Sequence, residues 1–125
     1  MCRTFQFQSP NDPNQSTVVR LNKSKPLLPV EYRGREAWFP WEGFCQTEEL
    51  KKGAWQELKP TLVKVQVNRG QSNGVWFVIR QGVYALLLSN RTGGQGLYIL
   101  TQTSTHYYRT MTGAKRMPVL INQVI

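Results

Sequence analysis

From Leu62 onward the chain is written in short apolar runs separated by turn residues, and that rhythm limits what it can fold into. Leu62-Val63-Lys64-Val65-Gln66-Val67 alternates at period two, and Val75-Trp76-Phe77-Val78-Ile79 is a β-branched and aromatic run. Gly82-Val83-Tyr84-Ala85-Leu86-Leu87-Leu88 follows a tight turn, and Leu97-Tyr98-Ile99-Leu100-Thr101 follows a Gly93-Gly94 loop. Such runs suit strands whose successive side chains point to opposite faces. Strands at this spacing predict a barrel-like or strongly curved sheet.

The first half is less regular. Phe5 to Gln8 and Thr17 to Leu21 read as two strands of a hairpin around the turn-rich stretch Ser9 to Gln15. Lys23 to Pro29 holds two prolines and is expected to be extended loop, followed by a strand at Val30-Glu31-Tyr32 and a turn at Arg33-Gly34-Arg35. The one helix candidate is a short turn near Thr47 to Lys52, with Thr47 as its cap and Gly53 as its stop. Asn68 to Gly74 reads as turn or loop, and Trp76 and Phe77 as core. The expectation is a mainly β (α+β) fold with little helix, and 125 residues leave room for one domain, residues 1–125.

Charge is segregated. All seven carboxylates lie at or before Glu57, whereas Leu58 to Ile125 carries eight lysines and arginines and no carboxylate side chain. A field of that sign attracts polyanions. No apolar run approaches the roughly 20 residues that cross a bilayer, so no membrane association is expected. The N-terminus lacks a signal-peptide layout and two cysteines make no disulfide framework, so the chain is expected to be soluble and cytoplasmic.

Common catalytic signatures are missing. There is no glycine-rich phosphate loop, no Gly-x-Ser-x-Gly and no His-Glu-x-x-His. The single His106 and two cysteines 43 positions apart give no ligand spacing, so neither metal nor cofactor is expected.

Three pieces in order resemble a known family. They are Met1-Cys2 followed by Arg3 and Phe5; Trp76-Phe77-Val78-Ile79-Arg80 running into Val83-Tyr84-Ala85-Leu86-Leu87; and Leu97-Tyr98-Ile99-Leu100-Thr101 leading to Arg116-Met117-Pro118-Val119-Leu120. Together they are similar to the SRAP family, the SOS-response-associated peptidase domain that crosslinks to abasic sites in single-stranded DNA, and they cover roughly half of a chain much shorter than a usual member. The chain departs from the family at its acid and base. Ala114 stands where the family has histidine, two before Arg116. Laying Pro40-Trp41-Glu42-Gly43-Phe44-Cys45-Gln46 on the family's Pro-Ala-Asp-Gly-Phe-Tyr-Glu puts Gln46 at its glutamate, and a second register, just before Trp76, supplies no acid. The family's Asn-Ala-Arg segment has no evident counterpart.

The resemblance implies an SRAP-type fold and single-stranded DNA as partner, with Cys2 as the reacting residue. Once Met1 is excised, Cys2 is a 1,2-aminothiol, which captures an aldehyde as a Schiff base and closes it to a thiazolidine. Phosphate contacts are expected from Arg3, Arg33, Arg35 and Arg116, with Trp38 or Trp41 as a stacking surface. Cys45 reads as a packed thiol. The rival expectation is a non-catalytic interaction module that offers residues 119–125 to a protein partner as a strand. A cysteine hydrolase ranks behind both, for want of a base.

Overall fold

A computed structural model describes residues 1–9, 12–89 and 93–125. Pro10 and Asn11, in the turn expected between the first two strands, and residues 90–92, ahead of Gly93-Gly94, lie outside the described residues. Strand makes up 55% and helix 12% of the structure, so the fold is mainly β. The described strands are β1 (Thr4–Ser9), β2 (Asp12–Arg20), β3 (Leu27–Tyr32), β4 (Arg35–Gln46), β5 (Thr61–Val65), β6 (Arg69–Ser72), β7 (Val75–Val78), β8 (Val83–Ser89), β9 (Gln95–Thr103) and β10 (Arg116–Pro118). The described residues also form two helices, α1 (Thr47–Lys51) and α2 (His106–Thr112), and a 3-10 turn at Gln56–Leu58.

The strands form two layers. β2-β1-β6-β7 is an open antiparallel sheet, while β10-β9-β4-β3-β5-β8 closes on itself because β9 also pairs with β8. The closed part has five strands, and an odd ring cannot alternate direction throughout. The necessary parallel pair is β4 with β9. Two-residue turns set the hairpin registers. Arg33 and Gly34 both have positive φ between paired Tyr32 and Arg35, and Asn73 and Gly74 do the same between Ser72 and Val75. Both central residues of such a turn need positive φ, which glycine and asparagine tolerate best.

The barrel interior and the underside of the open sheet share one core. Phe5, Phe7 and Phe77 from the sheet join Leu28, Val30, Trp41, Val65, Val83 and Ile99 from the barrel. Phe5 and Trp41 meet across the layers with ring centroids 5.1 Å apart. Burying a phenylalanine contributes about 1.5–3 kcal/mol, so these layers hold each other in place. A smaller cluster, Cys45, Leu86 and Leu100, faces the other way and is covered by Leu50 and Trp55.

The structure differs from the sequence expectation in several segments, among them Leu27–Pro29, expected as loop and found in β3, and Asp12–Gln15, expected as turn and found in β2. The helix near Thr47 forms, but Gln46 holds the cap position and the Thr47 hydroxyl bonds Glu48 instead. Asn68 to Gly74 supplies strand β6 as well as a turn. Helix α2 was not expected, although Thr105 caps it by accepting from the Tyr108 amide and Gly113 ends it at positive φ. Residues 119–125 do not form a strand open to a partner. Leu120 and Ile121 are buried, and Gln123 bonds the Val78 carbonyl and the Arg80 amide, so this segment folds onto its own chain. Among the described residues, no helix is long and apolar enough to cross a membrane.

Candidate nucleic-acid interface

Period two sorts the open sheet into two faces. Phe5, Phe7, Gly70, Ser72 and Phe77 point inward. The register then aligns two rows on the outer face: Arg20-Thr4-Gln71-Trp76 and Val18-Gln6-Arg69-Val78. Neither row contains a carboxylate. The Arg69 guanidinium carbon lies 5.3 Å from the centroid of the Trp76 ring, which is half-buried. A guanidinium over a ring holds both in place and leaves the charge at the surface. Val18 and Val78 are more than half exposed, so the second row also offers apolar contact.

The first row runs into a cleft of about 310 Å³ at the N-terminus, lined by Met1, Arg3, Thr4, Arg20, Gln71, Asn73 and Gly74. Two arginines border it. Cys2 sits between two of its lining residues, but its thiol turns inward and is 1% exposed. The thiol donates to the Thr4 carbonyl at 3.4 Å. A Cβ on Gly70 would lie 3.0 Å from Sγ, so only glycine leaves the sulfur this space. Burial pushes the Cys2 thiol up to about 11, partly offset by the nearby backbone of Thr4 and Gln71, the Ser72 hydroxyl and the amino terminus. At neutral pH the sulfur is therefore a thiol, and a free α-amine on Cys2 would be the first nucleophile.

The remaining residues expected at the site are scattered. Phe7 stacks edge-on with Trp38 and Phe5 packs on Trp41, so β4 crosses beneath β1 in the opposite sense. Arg35 is six residues before Trp41, about 20 Å along an extended strand. Arg33 and Arg35 thus lie at the far hairpin tip from the N-terminal cleft, where the Arg33 guanidinium rests over Tyr32. Trp38 is partly exposed between the layers.

Two assignments need correction. Trp41 is fully buried in the core, with Nε1 donating to the Gly43 carbonyl, and offers no stacking surface. The Arg116 guanidinium is committed inside the fold: Nη2 donates to the Thr101 carbonyl at 2.7 Å and hydroxyl at 3.1 Å, and Nη1 pairs with Glu48 at 2.8 Å. Ala114 is buried in the core. Gln46 is exposed at the end of β4. Cys45 is packed, and its thiol is pushed up to about 11 by burial and by Glu49.

Sequence reasoning missed Arg20, Arg69, Gln71 and Trp76. Treating residues 75–79 as an apolar block put Trp76 in the core, whereas alternation places Phe77 in and Trp76 out. The Asn73-Gly74 pair was the available signal, because it fixes the hairpin register and hence the faces. Comparison with protein-family models, curated proteins and solved structures finds no match.

Proposed function

We propose that this chain binds single-stranded DNA across the outer face of its open sheet, with the strand leading into the N-terminal cleft. The observation that carries this reading is the Arg69-Trp76 stack within two carboxylate-free rows. A ring held by a cation accepts the face of any base, and a duplex hides those faces. Arg20 and Arg3 continue the positive charge toward the cleft, and the likeness of Met1-Cys2-Arg3 to the SRAP opening supports DNA as the polyanion.

A covalent step belongs to the same reading. With Met1 removed, the Cys2 amine attacks the ring-opened aldehyde of an abasic site and water leaves, giving a Schiff base. Sγ then adds to the imine carbon and closes a thiazolidine. A reducing, cytoplasmic setting fits two free, buried thiols. The burial of Cys2 favours a second reading, a scaffold that binds DNA or a protein without chemistry. Intact mass after incubation with abasic single-stranded DNA separates the two: one added strand per chain supports capture, and an unchanged mass with salt-dependent binding supports the scaffold.

A further inference from the structure

One end of the open sheet gathers donors that have nothing to bond. β1 starts at Thr4, β2 finishes at Arg20, and β6 turns into β7 at Asn73-Gly74, so four strand ends surround the cleft of about 310 Å³. Register places Arg20, Thr4 and Gln71 directly opposite one another on the outer face, each about 4.8 Å from the next. Arg3 is held beside them, because its carbonyl accepts from the Leu21 amide at 2.9 Å. The turn is fixed as well: Asn73 Nδ2 donates to the Thr112 carbonyl at 2.9 Å and ties it to the end of α2.

Two guanidinium groups are thus confined at one opening without a counter-charge. The ion pairs among the described residues join Lys25 to Glu42 and Arg116 to Glu48, and neither involves Arg3 or Arg20. Asp12, the one carboxylate among the described residues of the open sheet, stands at the other end of β2, roughly 26 Å from Arg20 along the strand. Thr4 lines the cleft at 7% exposure, and its hydroxyl and the Gln71 side-chain amide have no partner among the described residues. Two cations with two neutral donors match an anion that offers several oxygens.

Trp76 narrows the class of anion. It stands opposite Gln71 in the same row, so a base stacked on its ring brings its own phosphate over the cleft. A phosphate within a strand is a diester with a single charge, whereas a terminal phosphomonoester carries about −1.5 to −2 and three strong acceptor oxygens. We propose that the N-terminal cleft holds the terminal phosphomonoester of a single strand whose last base stacks on Trp76. This rests on the single-strand-binding reading above and needs neither removal of Met1 nor the covalent step.

Fluorescence anisotropy on the full chain tests it with one oligonucleotide sequence, labelled on an internal base and ending in a 5′-phosphate, a 3′-phosphate or hydroxyls only. A phosphorylated strand is expected to bind about tenfold more tightly than the hydroxyl-ended one, the effect of one charge-assisted hydrogen bond, and the end that confers the gain identifies the source of the phosphate. Arg3 and Arg20 are exposed, so Arg3→Ala and Arg20→Ala leave the core intact, and each should remove most of that preference. Lys51→Ala, on α1 over the cluster that faces the other way, should keep it. An unspecific gain from added charge predicts the same preference in all three variants, and that result overturns the proposal. Equal binding of the three strands overturns it too and leaves the single-strand reading standing, whereas binding of none of them overturns both.

Discussion

Trp76 stands directly opposite Gln71 across the β6–β7 pair, and from two residues earlier in β6 the side chain of Arg69 reaches over its ring. Tight pairing at Asn73-Gly74 fixes that geometry, since a slip of one residue would send Trp76 inward and Phe77 out. Removing the ring should therefore cost binding rather than folding. Trp76→Ala is expected to weaken single-stranded DNA binding by about 1–3 kcal/mol, the range for one stacked base. Arg69→Ala should weaken binding on all sequences alike and reduce the salt slope by about 0.7, the value for one single-strand phosphate contact. Fluorescence anisotropy across a salt series checks both. Equal binding by Trp76→Ala would remove the outer face as the interface.

Arg116 gives the contrasting case. Its guanidinium bonds Thr101 on β9 and Glu48 on α1, so Arg116→Ala leaves a buried threonine carbonyl and hydroxyl short of a partner. An unsatisfied buried group costs about 1–3 kcal/mol. The loss should appear in chemical denaturation and leave DNA affinity within about twofold, well inside the tenfold that 1.4 kcal/mol represents.

How much of this was legible in the sequence depended on the kind of signal. The alternation of Leu62 to Val67 and the short apolar run Gly82 to Leu88 between turn residues have the length and composition of strands, so the barrel strands could be read from them. The faces of 75–79 could not be read from apolarity, because both Trp76 and Phe77 are large and the difference between them is set by register. Likewise Arg116 and Trp41 are residue types that serve either a surface or a core, and long-range partners decide which. Thr101 lies 15 positions from Arg116 and Phe5 lies 36 from Trp41. Helix α2 was missed although its cap and stop were visible, because Tyr107 and Tyr108 suit a strand equally well.

Gly82 should be intolerant of any side chain. Its φ is +82°, and a Cβ there would fall 2.2 Å from the Val65 carbonyl oxygen, backbone that cannot swing aside. Gly82→Ala is expected to destabilise by more than the roughly 1 kcal/mol of strain that the backbone angle alone imposes, with a lowered thermal midpoint as the readout. Gly34→Ala, with positive φ but open space around it, should cost only the conformational part.

The last expectation concerns pH. Cys2 has a folded-state pKa of about 11 against an ordinary value of 9.0, and burial is the main cause. A group whose pKa is raised by folding leaves stability untouched below the ordinary value, where the thiol is protonated in both states. Above pH 9 the unfolded chain ionises while the folded chain does not, so stability falls as pH rises toward 11. Two units correspond to about 3 kcal/mol at the end of that window. Cys45 and Tyr108, also raised, act in the same direction. Cys2→Ala keeps a small apolar side chain beside Gly70 and removes the titration, so its denaturation midpoint should decline less steeply between pH 9 and 11 than that of the unsubstituted chain. Cys45→Ala provides the comparison at the second thiol. Parallel declines for Cys2→Ala and the unsubstituted protein would mean that Cys2 reaches solvent in the folded state, and its thiol would then stand at the cleft rather than beneath it.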